Sequence, residues 1–279
     1  MRARPWPRRT AAALLAAVLL LLAGCASSVD PIERLGRKAA QRVRPAGQAA
    51  PTPRPYRRWG LAAPLPAPPR PPARPSPRAA ASATPAVIDH VDTPDRVVFL
   101  TYDDGAERDP RFVDMVRELR LPVSMFLTDS VVGPGYGHFA RLLSVGAALE
   151  NHTLEHPALR GLPYAGQRAE ICGQRDKLHA RFGVRSRLFR PPYGSYDTTT
   201  LRAAADCGVS TVVLWRASMT ETRLRFTHGR RSLRPGDILL VTSDDDDLDG
   251  PTLRERTTAL LRDVEAEGLT VGRLQDYLR

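Results

Sequence analysis

The sequence predicts an α/β fold: a small, distorted or incomplete (β/α) barrel of about seven parallel strands. From Val87 onward, short apolar runs alternate with longer amphipathic segments, which is typical of a parallel sheet with helices packed outside it. Seven predicted strands within residues 86–279 are more than a doubly wound sheet of that size usually contains, which favours a barrel. In either fold, chemistry gathers at the carboxyl ends of the strands.

The elements follow from residue type and hydrophobic period. The first strand, VVFLTY, is rich in β-branched and aromatic residues, and Gly105 supplies the turn that ends it. Later strands are shorter apolar runs, and amphipathic segments with a helical period lie between most of them. The predicted strands cover residues 97–102, 122–127, 147–151, 187–190, 210–215, 237–242 and 269–272, and the predicted helices cover 109–120, 136–145, 164–182, 197–206 and 251–267.

The first 24 residues are typical of an export signal. They combine an arginine-rich start with an apolar run from Ala11 to Leu22 that is too short to span a membrane. The tetrapeptide Leu22-Ala23-Gly24-Cys25 resembles a bacterial lipobox. That resemblance implies cleavage before Cys25 and a lipid on this cysteine, whereas an ordinary signal with an incidental cysteine is the alternative.

Residues 25–85 are predicted to be a lipid-anchored, Pro/Arg-rich disordered tether. Stretches such as APLPAPPRPPARPSPR cannot bury enough apolar surface to fold and favour extended polyproline conformations. The chain then divides into a signal peptide (1–24), a tether (25–85) and one folded domain (86–279). We expect a monomer outside the cytoplasm, held to the membrane through Cys25.

The positive charge of the chain is confined to its N-terminal part. Residues 1–85 carry a net charge of +13 and residues 86–279 carry −2, which gives the net +11 of the whole chain. Nucleic-acid binding needs a basic folded surface, so this distribution argues against such a partner. A basic tether fits an anionic membrane or wall polymer better.

Titratable side chains follow two of the predicted strands. Asp103 and Asp104 end the first strand, and the third runs into the segment NHTLEHP, where His152 and His156 are four residues apart. That spacing on one turn or a tight loop brings two imidazoles to a common point, as a divalent metal requires. Turn chemistry for the aspartates and a helix cap near Thr153 are the alternatives.

Three motifs together resemble a known family. The segments TYDDG, HTLEH and RPPYG, in this order and at these strand ends, are similar to the first three motifs of the polysaccharide deacetylases of the NodB-homology type, also called carbohydrate esterase family 4. The resemblance covers about residues 95–279. It implies an acetylated glycan as substrate and a divalent metal, most often Zn²⁺, as cofactor.

The resemblance also implies roles for individual residues. Asp104, His152 and His156 match the three metal ligands, and Asp103 matches the general base that takes a proton from the attacking water. Arg190 matches the arginine that orients this base and keeps it ionised. A last group falls where the family binds substrate or, through a backbone N–H, the oxyanion: Tyr193, Pro192 and Trp215.

The later motifs depart from the family pattern. A histidine that protonates the leaving amine and its tuning aspartate are expected, but Thr242 and Arg216 stand there, and the two losses look paired. Neither side chain donates a proton readily near neutral pH. His228 or Asp244 could replace the acid.

Three hypotheses for the function follow from these departures. The first is a deacetylase acting on N-acetylated glycan, with peptidoglycan as the first candidate. The second is an O-acetyl esterase, and the third is a weakened or inactive wall receptor. Cys172 and Cys207 are favoured as two buried free thiols, although export would permit a disulfide.

Overall fold

A parallel sheet dominates the protein. The computed structural model describes residues 54–72, 84–105, 108–242 and 250–278. In chain order the elements are α1 (Pro55–Arg58), β1 (Ala86–Ile88), β2 (Val97–Asp104), α2 (Pro110–Leu119), β3 (Val123–Leu127), α3 (Asp129–Val132), α4 (Tyr136–Ser144), β4 (Ala148–Asn151), α5 (Tyr164–Phe182), β5 (Leu188–Phe189), α6 (Thr198–Asp206), β6 (Thr211–Val213), β7 (Ala217–Thr220), β8 (Arg223–Phe226), β9 (Ile238–Val241), α7 (Leu253–Ala266), β10 (Thr270–Val271) and α8 (Leu274–Tyr277), with short 3₁₀ turns at Gly133–Gly135 and Pro192–Gly194.

The strands form one curled, barrel-like sheet in the order β1-β6-β5-β4-β3-β2-β9-β7-β8, and β10 pairs with β2. All of these pairs are parallel except β7 with β8. The predicted incomplete (β/α) barrel is therefore confirmed. Each of the seven predicted strands and five predicted helices is present, with its ends shifted by at most two residues.

The two faces of the sheet bury different apolar clusters. On β2, Val98, Leu100 and Tyr102 pack into the larger cluster beneath the helices, whereas Val97 and Phe99 belong to the smaller cluster inside the curl of the sheet. This alternation is the two-residue period of a strand buried on both faces. At the carboxyl end of β2 the same alternation predicts that Asp103 and Asp104 point to opposite faces of the sheet.

Three strands were not predicted from the sequence. β1 has only three residues, and the hairpin formed by β7 and β8 lies at the sheet edge. Arg223 and Arg225 alternate along β8 with the half-buried Leu224 and Phe226. Such a half-polar edge strand lacks the continuous apolar run that identified the central strands.

The prediction of a disordered tether is wrong for residues 54–72. Residues 54–72 contain a helical turn and pack on the domain, with Trp59 and Leu61 only 6% and 3% exposed. The Trp59 indole N–H donates to Glu118 Oε2 at 2.8 Å. These residues, called the N-terminal strap below, bury two apolar side chains that composition alone assigned to a disordered region. The rest of the predicted tether within 25–53 and 73–83, and Cys25, lie outside the described residues.

The prediction of two free thiols is also wrong. Cys172 on α5 and Cys207 at the end of α6 form a disulfide with a Cα–Cα distance of 5.0 Å. The helices α5 and α6 pack side by side in the fold, which brings residues 35 positions apart within bonding reach. Sequence spacing carries no information about that packing.

Candidate active site

The carboxyl ends of adjacent strands bring the predicted residues together. Asp104 is paired with Leu127 of β3, Leu127 with Asn151 of β4, and Asn151 with Phe189 of β5. The residues that follow β4 and β5 are therefore neighbours at one rim. His152 comes directly after β4, and Arg190 directly after β5.

Three side chains converge there with the spacing of metal ligands. Asp104 Oδ1 lies 3.1 Å from His156 Nε2 and 3.5 Å from His152 Nε2, and the two imidazole nitrogens are 3.2 Å apart. Ligand atoms held about 2.0–2.2 Å from one zinc ion are roughly 3.0–3.6 Å from each other. Asp104 Oδ1 is also shielded from solvent without a hydrogen bond of good geometry. The donor set and its spacing fit a divalent cation.

The buried His152 is oriented as a ligand. Its Nδ1 donates to the Arg190 carbonyl at 2.7 Å, which leaves the Nε2 lone pair facing Asp104 and His156. Burial lowers the pKa of His152, although the nearby carboxylates of Asp103 and Asp104 act in the opposite direction. A neutral imidazole is the form that binds a metal.

The other two members of the cluster, Asp104 and His156, shift each other's pKa. The Asp104 carboxylate, whose Oδ1 is 3.1 Å from Nε2, raises the pKa of His156, and burial opposes this effect only partly. Burial alone would raise the pKa of Asp104, but the adjoining His156 imidazole and the charges of His152 and His156 bring it below its ordinary value. The carboxylate is therefore ionised and available as a ligand.

Asp103 is held beside this cluster by a buried arginine. Arg190 Nη1 donates to Asp103 Oδ1 at 2.7 Å, while its other donors reach the carbonyls of Val213 and Leu214 at 2.9 and 3.1 Å. Its guanidinium also stacks over Phe126 at 4.3 Å. Burial lowers the pKa of Arg190, and Asp103 counteracts that effect. The planar Arg190 guanidinium, called the arginine fork below, is held by these contacts and therefore fixes the orientation of the Asp103 carboxylate.

The backbone around the cluster is strained. Asp104, Thr153, His156 and Tyr193 have φ values of 63°, 76°, 59° and 60°, a region that residues with a Cβ rarely occupy. Only a surrounding network can hold such conformations. Part of it was not identified from sequence: Thr128 Oγ1 donates to the His152 carbonyl at 3.0 Å.

The predicted substrate-contacting residues lie beside the cluster. Tyr193 is 69% exposed, and its ring meets His156 edge-on at 4.8 Å. The ring of Trp215 lies 5.4 Å from the Arg190 guanidinium and packs over Gly194. Pro192 is buried in the 3₁₀ turn that carries Tyr193. The sequence motif RPPYG therefore forms one wall of the site.

Arg216 and Thr242 do not lie together, which contradicts the paired loss. The backbone N–H of Arg216 donates to the carbonyl of Ile238, the first residue of β9, whereas Thr242 follows the last residue of that strand. Four residues of extended chain, about 13 Å, therefore separate the position of Arg216 along β9 from that of Thr242. Arg216 is buried and forms a 2.8 Å ion pair with Asp237. It therefore stabilises the fold rather than standing in for a carboxylate beside Thr242.

Neither candidate replacement acid, His228 or Asp244, is observed beside the cluster of Asp104, His152 and His156. The His228 ring bonds to Asp89, and its carbonyl accepts from Arg216 Nη1 at 2.8 Å. Asp244 lies outside the described residues. Thr242 does follow β9, the neighbour of β2, but its hydroxyl donates to the Met219 carbonyl at 3.1 Å.

Comparison with known proteins decides the family. Residues 90–212 match the model of the polysaccharide deacetylase family, a range that includes the aspartate pair, both histidines and the arginine fork. The chain belongs to that family. An uncharacterized protein of Streptomyces coelicolor is 61% identical over 195 residues, which cover 70% of this chain and 78% of the relative.

Relatives with a named activity are more distant. The peptidoglycan-N-acetylmuramic acid deacetylase PdaA of Bacillus subtilis is 22% identical over 200 residues, covering 67% of this chain and 73% of PdaA. Among solved structures, a CE4-family pseudoenzyme from Bacillus anthracis superposes with a TM-score of 0.59 at 19% identity, covering 70% of each chain. This likeness shows that the barrel is the fold of that family.

Proposed function

We propose that this polysaccharide deacetylase is a metal-dependent hydrolase that removes acetyl groups from an extracellular N-acetylated glycan, with peptidoglycan as the first candidate. The observation that carries the proposal is the convergence of Asp104, His152 and His156 beside the Asp103–Arg190 pair. A metal-ligand set and a separately held carboxylate within one rim are what hydrolysis of an unactivated amide requires.

Each residue then has a distinct task. Asp104, His152 and His156 would hold the divalent ion, most often zinc, which when bound activates water and polarises the acetamide carbonyl. Asp103 would accept the proton of the attacking water, and Arg190 orients that carboxylate through its 2.7 Å hydrogen bond. The Tyr193 backbone N–H would donate to the developing oxyanion.

Part of the wall proposed to bind substrate is exposed to solvent. Tyr193 is exposed beside the ligand cluster, and Trp215 with Pro192 would support a sugar ring held there. The named activity of PdaA supports peptidoglycan as the substrate class. We further propose that the protein acts as a monomer.

The proposed location is outside the cytoplasm, with a lipid anchor on Cys25. The Cys172–Cys207 disulfide supports export because disulfides persist mainly in oxidising compartments. None of the helices in the described part of the chain is long and apolar enough to cross a membrane. The basis for the proposed attachment is the signal and lipobox pattern of residues 1–25. A Cys25→Ser protein that remained wholly in the membrane fraction would contradict lipidation.

Thr242 favours a second candidate function. A threonine hydroxyl cannot supply a proton to a departing amine near neutral pH, and loss of a general acid costs on the order of 10²–10⁴ in rate. An O-acetyl ester has an easier leaving group. The alternative is therefore an O-acetyl esterase, or a catalytically weakened glycan-binding protein of the wall.

One assay separates these functions. The full-length protein, loaded with zinc, is incubated with matched N-acetylated and O-acetylated glycans, and free acetate is measured. Acetate from the N-acetylated glycan supports the first proposal, whereas acetate from the O-acetylated glycan alone supports the esterase. No acetate from either, with tight glycan binding, supports the receptor.

Metal retention tests the cluster independently of turnover. We expect one zinc ion per chain, measured by elemental analysis after gel filtration, and none after His152→Ala combined with His156→Ala. A His138→Ala variant is the matched control, since that histidine lies on α4 and is not a member of the ligand cluster. Stoichiometric zinc in the double variant would refute the assigned ligands.

A further inference from the structure

The segment that carries both histidines rests on one turn of helix α5. The segment His152–His156, called the metal loop below, passes over Glu170, Ile171 and Gly173 of that helix. Glu170 Oε2 accepts the backbone N–H of Leu154 and of Glu155, each at 3.0 Å. One carboxylate oxygen thus ties down the middle of the loop, with one ligand histidine on either side.

We infer that Glu170 is a positioning residue for the metal site: its carboxylate holds the metal loop in the conformation that aligns His152 and His156. The inference rests on the proposed function, because it assigns the loop a metal. Glu170 reaches only main-chain N–H groups in these contacts, so it acts through the loop. Charge-assisted bonds of this kind are stronger than neutral ones.

The loop needs such support because its backbone is strained. Thr153 and His156 have φ values of 76° and 59°, so a free loop would relax out of this shape. The Thr153 N–H donates to Asn151 Oδ1 and the His156 N–H to Thr153 Oγ1, at 3.0 and 3.1 Å. These contacts secure the two ends, and Glu170 secures the centre.

Two further contacts fix α5 against the same segment. Asn151 Nδ2 donates to the Ile171 carbonyl at 2.8 Å, and Leu154 packs over Gly173, where an added Cβ would lie 2.3 Å from Leu154 Cδ1. Cys172 of this turn is bonded to Cys207. The helix is therefore a fixed platform, so losing the Glu170 carboxylate should free the loop rather than move the helix.

The test measures zinc affinity of the full-length protein by competition with a chromophoric chelator. Glu170→Ala should weaken zinc binding about 10- to 100-fold, the usual effect of removing a group that orients a metal ligand. Glu170→Gln keeps an acceptor oxygen without the charge and should weaken zinc binding less than Glu170→Ala does. Asp176→Ala, an exposed carboxylate on the same helix, is the matched control and should not change affinity.

Amide hydrogen exchange in the metal-free protein supplies a second measurement. The Leu154 and Glu155 amides should be protected in wild type and Glu170→Gln, and should exchange faster in Glu170→Ala. If Glu170→Ala does not fold, Glu170→Asp, which withdraws the acceptor by one methylene, replaces it in both measurements. Unchanged zinc affinity in the folded variant would overturn the inference. A wild type that binds no zinc would instead refute the proposed function, while leaving the exchange result interpretable.

Discussion

At the residue scale, two adjacent carboxylates can serve one site because the backbone turns between them. Asp103 keeps the strand alternation and shares the inner face with Phe99, whereas Asp104 should point to the opposite face. Its φ of 63° breaks that alternation and turns its carboxylate toward His156. The following Gly105 has a φ of 87° and is packed against Val132, so a side chain there would be strained and crowded.

The arginine fork gives the first prediction. Arg190→Lys should lower the catalytic rate at least 10-fold and destabilise the protein by about 1–3 kcal/mol, because one ammonium cannot reach Asp103 and two carbonyls in a fixed plane. Urea unfolding and acetate release measure the two effects. Arg117→Lys, at an exposed pair with Asp114, is the control and should change neither. Wild-type activity in Arg190→Lys would show that the fork does not orient the base.

The second prediction concerns the missing acid. Thr242→His alone should raise acetate release from an N-acetylated glycan, because an imidazole can protonate the leaving amine. Adding Arg216→Asp should not help: it places a carboxylate against buried Asp237 and should cost about 3–5 kcal/mol of stability. Thr242→Gln is the control, because glutamine is similar in size to histidine but has no titratable proton. A gain with glutamine equal to that with histidine would exclude an acid role.

At the scale of single elements, local sequence signals and packing contribute separately. The first residues of α6 and α7 follow from capping boxes formed by Asp197 with Thr200 and by Thr252 with Glu255. The β7–β8 hairpin carries no comparable signal, because its pairing depends on β9 as a neighbour. Central strands and capped helices are therefore predictable, while edge strands are not.

The cap of α6 gives a prediction about pH. Bonds from the Gly161 and Thr200 N–H groups lower the pKa of Asp197 to about 2 from 3.8. A lowered folded-state pKa means that its stabilisation is complete above pH 3.8 and is lost as the pH falls toward 2. Asp197→Ala should cost about 1 kcal/mol at pH 7 and less at pH 2. Asp197→Asn keeps an acceptor and should lose this pH dependence with a smaller cost at pH 7. Thermal unfolding at pH 7, 4 and 2 measures both, and parallel curves for wild type and Asp197→Asn would contradict the assignment.

At the scale of the whole molecule, the N-terminal strap extends the folded unit beyond the family match. Its main chain is held by α7: Arg262 Nε donates to the Gly60 carbonyl at 2.9 Å, and Glu265 Oε1 accepts the Ala63 N–H at 2.7 Å. Trp59 joins the same apolar cluster as α2 and α7. A protein cut at residue 84 would therefore expose a surface that the intact chain covers.

The strap gives the last prediction. Trp59→Ala should destabilise the full-length protein by about 3 kcal/mol, because it removes a large buried side chain and the indole bond to Glu118. Tyr56→Ala, a half-buried residue of the same turn, should cost less. Urea unfolding followed by circular dichroism gives both values. If Trp59→Ala unfolds at the wild-type urea concentration, the strap does not belong to the folding unit.

The sequence by itself determined the parallel α/β architecture, the central strands and the metal-ligand candidates, since each depends on local period, residue type or motif. Only the tertiary structure decided which distant groups meet. It joined Cys172 to Cys207, separated Arg216 from Thr242, and seated Trp59 on the domain. The physical reason is that helix packing, strand pairing and burial depend on contacts between residues far apart in the chain, and local patterns carry no record of those contacts.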